Sequence, residues 1–412
     1  MNIIAVIIVV TFIADYLLNL VADSLNVRSI THTLPEAFQG LYDAERYIRS
    51  QEYLSITTWF GRVSNTFHLI VLLVFWFCQG FPLLDTWARS FEGGPVVTGL
   101  IYVGALMGGR AILSLPFSIY STFVIEERFG FNKTTWKTFV TDMIKGIVLS
   151  VILGSLILAV VISFFEYAGS AGWFYCWIAV TILMLALQYI VPTWIMPLFN
   201  KFKPLEEGEL KTALMTYARA IQFPLTNVFI MDGSKRSSKS NAFFTGFGNN
   251  KRIVLFDTLV EKHTVDELVS VMAHEMGHYK LKHILKMIVI SICHTGVLLY
   301  LFSLFISYKP LFEAFFMPHV SVYAGLIFFS MLYSPVDFFL GILLQHFSRK
   351  NEYDADRFAV TTCGKPQALT QALKKLSVDN LSNLTPHPLY VWLHYSHPPI
   401  LQRVDAIEKM TI

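Results

Sequence analysis

The chain has 412 residues, of which 54% are hydrophobic and 15% are charged, and its mean hydropathy is +0.52. A soluble protein of this length rarely has so few charged residues, whereas a protein with several membrane-spanning helices commonly does. The formal net charge of +3 does not indicate a nucleic-acid partner. The four cysteines are widely scattered, which excludes both a disulfide framework and a thiolate metal site.

Seven apolar runs are long enough to cross a bilayer, since a spanning helix needs about 20 mostly apolar residues. We predict spans at Ile3–Val21, Val63–Leu84, Val96–Ile125, Ile147–Phe165, Trp173–Val191, Ile284–Ile306 and Val320–Leu344. The first run contains Asp15 and has no basic residue before it, so we interpret it as a retained span and not a signal peptide. The fold is therefore predicted to be that of a mainly α-helical, polytopic membrane protein.

Basic residues are concentrated in alternate loops. Segments 22–62, 126–143, 192–283 and 345–412 hold most of them, including twelve in 192–283 and eight in 345–412. The loops between the other spans hold only Arg89 and Lys309. Because lysine and arginine favour the cytoplasmic side of a membrane, we predict that the N-terminus lies outside and the C-terminal tail in the cytosol.

The segment 192–283 is polar enough to fold outside the lipid. Within it Val228–Met231, Asn241–Phe244 and Ile253–Phe256 predict short strands, because glycine, serine and asparagine turn residues separate them. Thr264 followed by Glu267 predicts the capping-box start of a helix. We divide the chain into spans 1–5 (residues 1–191), this segment (192–283), spans 6 and 7 (284–344) and a C-terminal segment (345–412).

The predicted helix carries the pattern HExxH, from His274 to His278. Residues four apart lie on one helix face, so the two histidines can bind one metal ion. Glu275 beside them can act as the general base for a water molecule, as in zinc hydrolases. A chance match occurs in about one such chain in a hundred. The capped helix favours a metal site, as does Gly277, which costs about 1 kcal/mol within a helix.

A catalytic zinc ion needs a third protein ligand and an open position. The downstream candidates are His283, His294, Glu352, His387, His394 and His397. His283 is predicted to lie off the metal face, and His294 falls within a predicted span. Glu352 begins a polar helix, with Asp356 one turn later to support a metal-bound imidazole. The alternative, an ordinary helix start with acidic residues near its positive end, remains equally open on spacing alone.

Six sequence blocks, taken with the seven spans, carry a family resemblance. They are Glu126–Thr135, Pro197–Lys211, Ser240–Gly248, His274–His283, Asn351–Asp356 and Tyr395–Arg403. In this order and over nearly the whole chain, they resemble the type 1 CAAX prenyl proteases, the a-factor-converting class of integral-membrane zinc metalloproteases. The resemblance implies one Zn²⁺ per chain, bound by His274, His278 and Glu352. It further implies that Glu275 activates the water and that Asp356 supports a ligand.

The resemblance also implies a zincin-like domain with a small β element that binds the substrate backbone as an added strand. The residues that would bind it are Asn241, Ala242, Phe243 and Phe244. His397 and Arg403 would line the site and help stabilise the oxyanion. Without the family, the strand is equally consistent with an ordinary core strand. His397 would then be a helix-entry residue before two prolines.

In the family the seven helices enclose a water-filled chamber, with the zinc site near its cytosolic end. Asp15, Arg110, His294 and Asp337 fall within predicted spans, where ionisable groups are costly unless they face water or one another. We predict that several of them line such a chamber. The alternative is pairing between helices in a dry bundle.

The implied activity is removal of the C-terminal tripeptide from a prenylated CAAX protein or peptide, and some members also make a second, N-terminal cut. The final residues IEKMTI contain no retrieval signal, so we expect either the endoplasmic reticulum or a bacterial inner membrane. One rival hypothesis is a quality-control endopeptidase that needs no prenyl group. A second is a transporter or lipid-binding protein that does not use the metal site. The oligomeric state is not predicted.

Overall fold

The computed structural model describes residues 2–225, 227–245 and 252–410, which form sixteen α-helices and four β-strands. The helices are α1 (Ile3–Arg28), α2 (Ala44–Phe77), α3 (Gly80–Arg89), α4 (Gly94–Tyr120), α5 (Trp136–Tyr167), α6 (Gly172–Ile190), α7 (Met196–Phe199), α8 (Glu209–Ala220), α9 (Asp257–Lys262), α10 (Val265–Lys280), α11 (His283–Phe305), α12 (Lys309–Glu313), α13 (Val322–Cys363), α14 (Pro366–Asp379), α15 (Pro388–His394) and α16 (Ile400–Lys409). The strands are β1 (Phe202–Pro204), β2 (Asn227–Met231), β3 (Ala242–Thr245) and β4 (Arg252–Phe256).

The prediction of seven spans is confirmed. Among the described residues, seven helical segments are long and apolar enough to cross a bilayer: Ile3–Arg28, Ala44–Phe77, Gly94–Glu126, Trp136–Tyr167, Gly169–Phe199, His283–Phe305 and Val322–Cys363. The predicted bounds of the second span were wrong, because the helix breaks between Phe77 and Gly80. Gln79 is left-handed there, with φ of 59°, and the Phe75 ring lies so close to Gly80 that a Cβ would collide with it.

The seventh span and the polar helix predicted after it are one continuous helix. Helix α13 has 42 residues, which at 1.5 Å per residue is about 63 Å, roughly twice the hydrocarbon thickness of a bilayer. The boundary that we placed between residues 344 and 345 lies inside it. A single element therefore joins the last span to Glu352 and Asp356.

The loops that the basic residues assign to one side pack together in the structure. Phe38 of the first loop, Phe129 of the second and Leu381 of the tail share one buried apolar cluster. Arg236 donates hydrogen bonds to both carboxylate oxygens of Asp142, at 2.7 and 3.0 Å. These contacts place the basic segments at the same end of the helix bundle.

Aromatic side chains close the opposite end of the bundle. The Phe315 ring stacks between Trp76 and Phe328, with ring centroids 4.3 and 3.9 Å away. The Trp76 indole N–H donates to the Ala314 carbonyl oxygen at 2.9 Å. The end of α2, the loop after α12 and the start of α13 are thereby joined.

The four strands form one sheet in the order β1-β2-β4-β3. Strands β2 and β4 are parallel, and the two outer strands pair antiparallel to them. The three predicted strands are present, although β3 begins at Ala242, one residue later than predicted. Strand β1 was missed because its three residues include Lys203 and Pro204, which give no strand pattern. The sheet shares its core with α8, α10 and α14.

Candidate metal centre and active site

Helix α10 begins as predicted and lies in the middle of the protein. The Thr264 hydroxyl accepts from the Glu267 backbone N–H at 3.3 Å, and the Glu267 carboxylate accepts from the Thr264 N–H at 2.9 Å, so the capping box is formed. Eight consecutive residues, Glu267–His274, are buried. This burial holds the HExxH pattern rigidly between the sheet and α13.

Three side chains converge where α10 crosses α13. The Nε2 atoms of His274 and His278 are 3.1 Å apart. Glu352 places Oε1 3.2 Å from Nε2 of His278 and Oε2 3.4 Å from Nε2 of His274. Their possible ligand atoms all lie within 4.8 Å of one another. Two imidazoles and one carboxylate are a ligand set that zinc accepts in catalytic sites.

The electrostatics of this group fit a divalent cation. Oε2 of Glu352 is buried and forms no hydrogen bond within the part of the chain that the structure describes, although Nη1 of Arg403 lies 3.2 Å away. Burial disfavours a charged His274, yet the Asp356 and Glu352 carboxylates raise the pKa of its imidazole to about 9. The site therefore attracts positive charge, and a metal ion would satisfy all three groups.

Asp356 lies directly behind His274 and is fully buried. Its Oδ1 accepts a hydrogen bond from Nδ1 of His274 at 2.8 Å. Arg403 of α16 donates from Nε to Oδ2 at 2.8 Å and from Nη2 to Oδ1 at 2.7 Å. A protonated Nδ1 leaves the lone pair of Nε2 facing the other ligand atoms. The structure thus brings the predicted supporting carboxylate to the predicted ligand.

Arg403 itself is buried behind the ligands. Besides its two bonds to Asp356, its Nη1 lies 3.2 Å from Oε2 of Glu352. All three guanidinium nitrogens are therefore close to carboxylates of the site. The geometry favours a positioning role over the oxyanion contact that the family resemblance implies.

His397 lies on the open side of the same group. Its Nε2 is 3.3 Å from Oε1 of Glu352, and 64% of its side chain is exposed. Nδ1 lies 2.9 Å from the Ser396 hydroxyl oxygen. Glu275 follows His274 on α10, and burial raises the pKa of its carboxyl, which brings a carboxylate closer to the basicity that proton transfer needs.

The other histidine candidates lie elsewhere. His294 is 3.4 Å from Asp337, His387 caps α15, and His394 packs on Tyr390. His283 does not join the three ligand atoms, but its Nδ1 lies 3.1 Å from Nδ1 of His278. Helical spacing does not predict this contact, because α10 ends at Lys280 and His283 begins the next helix. Lys282 has a φ of 59°, which ends α10 and turns the chain back.

Gly277 explains how the two helices approach so closely. A Cβ at this position would lie 3.1 Å from the Phe358 ring and 3.3 Å from the Ala355 carbonyl oxygen, both on α13. The glycine inside the HExxH pattern is thus favoured by close packing against α13 and not by helix stability. It sets the distance between the histidines and Glu352.

Asn241 and β3 lie next to α10. The Phe244 ring is 5.8 Å from the Tyr279 ring, one residue after His278. The Asn241 carbonyl oxygen accepts from the Phe256 N–H at 3.1 Å, and β3 is an outer strand with a second edge that no described strand occupies. Phe244 thus packs against α10 one residue beyond His278, whereas Asn241 pairs with Phe256 at the end of β4.

Two protein-family profiles together match almost the whole chain. The first, described as the CAAX prenyl protease N-terminal region with five membrane helices, matches residues 24–201. The second, peptidase family M48, matches residues 204–411. The chain belongs to the CAAX prenyl protease family of M48 peptidases. It is therefore a multi-pass membrane metalloprotease. The match confirms the family resemblance. Membership of this family implies a bound metal, typically zinc.

Similar proteins support this assignment over most of their length. A CAAX prenyl protease 1 homolog of Oryza sativa subsp. japonica is 38% identical over 390 residues, which cover 91% of this chain and 90% of that protein. The CAAX prenyl protease 1 of Saccharomyces cerevisiae is 34% identical over 404 residues, or 92% and 89%. The crystal structure of S. mikatae Ste24p superposes with a TM-score of 0.94 at 33% identity and covers 99% of this chain and 100% of that one.

Replacing Asp356 by Asn should weaken zinc binding by about 10- to 100-fold, because the neutral amide no longer balances Arg403 or polarises His274. Removal of one partner of a buried ion pair should also destabilise the protein by about 3–5 kcal/mol. Zinc competition with a chelator and thermal unfolding measure the two effects. Asp354→Asn, on the same helix but partly exposed, is the matched control. Unchanged zinc affinity in Asp356→Asn would contradict the assignment.

Gly277→Ala should lower zinc affinity and turnover by about tenfold, because the added methyl group pushes α13 and its Glu352 away from the histidines. The free energy of unfolding should change by less than about 1 kcal/mol, since the higher helix propensity of alanine offsets part of the cost of overpacking. Gly341→Ala, on α13 with open space around the new Cβ, should leave both properties unchanged. Equal behaviour of the two variants would show that the crossing distance does not matter.

Proposed function

We propose that this chain is a zinc-dependent endopeptidase that removes the C-terminal tripeptide from prenylated CAAX proteins or peptides, by cutting after the prenylated cysteine. The observation that carries the proposal is the cluster of His274, His278 and Glu352 beside the sixth span, in a chain similar over about nine-tenths of its length to proteins named CAAX prenyl protease 1. A second, N-terminal cut in a prenylated precursor belongs to the same proposal.

The metal ion would be held by His274, His278 and Glu352, and when bound it supplies a Lewis acid that acidifies water and polarises a carbonyl group. Glu275 takes a proton from the attacking water and later delivers it to the leaving amine. Its raised pKa suits both transfers. Zinc is proposed over other metals because two imidazoles and a carboxylate match its usual ligands.

His397 is the group best placed to donate a hydrogen bond to the oxyanion, since it is exposed on the open side of Glu352. Arg403 and Asp356 act indirectly, because they fix His274 and Glu352. The substrate backbone would bind as an added strand along the free edge of β3, next to Asn241. The adjacent sheet strand β4 already supports this edge through four paired residues.

We further propose that the spans enclose a water-filled chamber that opens to the site. Asp15 and Arg110 are exposed although they lie within spans, and Asp337 remains exposed beside His294. Ionisable side chains at such depth require water or a partner. The shared location of the basic loops supports a cytosolic orientation of the metal centre.

A cleavage assay on purified protein in detergent tests the proposal by mass spectrometry. A farnesylated CAAX peptide should lose its last three residues, whereas the unlipidated peptide should be cut much more slowly. Glu275→Gln should keep its zinc and lose about 10²- to 10⁴-fold in kcat, because a general base contributes that much. Equal cleavage of the two peptides would instead favour a quality-control endopeptidase. An active Glu275→Gln enzyme would contradict the mechanism.

A further inference from the structure

A large apolar cavity lies beside the metal centre and takes no part in the mechanism above. It has a volume of about 660 Å³ and lies between α5, the C-terminal half of α6 and β3. Its walls include Val180, Leu183, Leu187, Met196, Phe243 and Phe244. Gln188 contributes the main polar group. The cavity is thus within the size range of ligand sites, roughly 300–1,000 Å³, and its lining suits a hydrocarbon.

The cavity is adjacent to a smaller one at the metal centre. Met184 and Gln188 also line a smaller cavity of about 320 Å³, whose other walls include His278 and His283. The two cavities therefore share a wall formed by one turn of α6. A chain that enters from the metal centre passes Met184 and Gln188 and reaches the aromatic side chains of β3.

We propose that this cavity binds the isoprenoid chain of the substrate's prenylated cysteine. The inference rests on the proposed function, in which the scissile bond directly follows that cysteine. The lipid is then attached to the residue nearest the metal ligands, so it must lie within one side chain's reach of His278. The shared wall at Met184 and Gln188 provides that route.

The shape of the cavity favours the isoprenoid over the aliphatic residues that follow the cysteine. Successive side chains of a substrate bound as a strand point to opposite faces, so two aliphatic residues need two separate, shallow pockets. A single apolar cavity that borders the metal centre at Met184 and Gln188 instead suits one long chain. The cavity also lies against α5 and α6, two membrane spans, so a lipid group can stay in an apolar environment as it enters.

Photocrosslinking tests this assignment directly. A CAAX peptide whose farnesyl group carries a diazirine is bound to Glu275→Gln protein, and the labelled residues are mapped by mass spectrometry. Labels are expected on residues 180–196 and 243–244. A second peptide, with photoleucine at the aliphatic positions, should not label residues 180–196, although its backbone lies beside β3. Isoprenoid labels on other spans, or photoleucine labels on residues 180–196, would overturn the assignment.

Variants that fill the cavity provide an independent measurement. Leu183→Trp and Leu187→Trp should raise KM for a farnesylated peptide by at least about tenfold, and should affect a geranylated peptide, one isoprene unit shorter, much less. Ile182→Trp, on the opposite, 63% exposed face of α6, is the matched control and should leave both values unchanged. Equal effects on both lipids would overturn the inference. If the wild-type enzyme cuts no CAAX peptide at all, the proposed function fails instead, and the two failures are distinguishable.

A separate observation carries a second inference, which concerns His283. His278 directs Nε2 toward the other ligands and places Nδ1 3.1 Å from Nδ1 of His283, so an Nδ1–H of His278 can donate to His283. His283 is buried, and the turn at Lys282 holds it in place. We infer that His283 is a positioning residue that orients His278, as Asp356 orients His274.

The test compares variants with and without a hydrogen-bond acceptor. His283→Leu and His283→Phe should release zinc to a chelator about 10- to 100-fold more readily. His283→Gln, whose amide oxygen can accept the hydrogen bond from His278, should restore most of the zinc affinity. Thermal unfolding of the metal-free proteins controls for a purely structural effect and should not separate Gln from Leu. Wild-type zinc affinity in the Leu variant, or equal losses in Leu and Gln, would overturn the role.

Discussion

The crossing of α10 and α13 is the constraint on which the rest of the site depends. His274 and His278 belong to α10 and Glu352 belongs to α13, so the ligand set exists only where these two helices meet. Gly277 permits that approach, since a side chain would press on Phe358 and the Ala355 carbonyl. The ion pair of Asp356 with Arg403 then adds α16 to the same assembly. Three helices are thus held together by groups that also orient the ligands.

The length of α13 connects this assembly to the membrane. Because one helix carries both the seventh span and Glu352, the carboxylate has a fixed position relative to the bilayer. Helix α11 begins only three residues after α10 ends and forms the sixth span. The metal centre is therefore held between two spans, without a flexible linker. A membrane substrate whose lipid stays in an apolar environment can in this way present its peptide to water-activating chemistry.

Hydrogen bonding divides the site into two sides. Behind the proposed ligands, Asp356, Arg403 and His283 are buried; Asp356 and His283 lie within hydrogen-bond distance of Nδ1 of His274 and of His278, and Arg403 bonds to Asp356. In front, His397 is exposed and Glu275 has a raised pKa. Rigid, specifically paired groups behind the ligands are the arrangement that preorganised catalysis requires. The apolar cavity next to β3 shares Met184 and Gln188 with a smaller cavity at His278.

The sequence by itself determined the seven spans, the capped HExxH helix and two of the three proposed metal ligands, because hydropathy and helical spacing are local properties. It also determined the clustering of basic loops at one end. Spacing alone favoured Glu352 among six candidates but left an ordinary helix start equally open, since 73 residues lie between it and His278; the family resemblance then indicated Glu352 as the third ligand.

Only the tertiary structure decided how distant residues meet. Arg403 reaches Asp356 through the packing of α16, and His283 meets His278 through a turn with positive φ, which spacing along a regular helix does not reveal. The break after Phe77 and the three-residue strand β1 were likewise missed, since a ring packed over Gly80 and a neighbouring strand determine them. Some of these contacts join residues far apart in the chain, and those that join residues five apart depend on a positive φ at Gln79 or Lys282, which helical spacing does not predict.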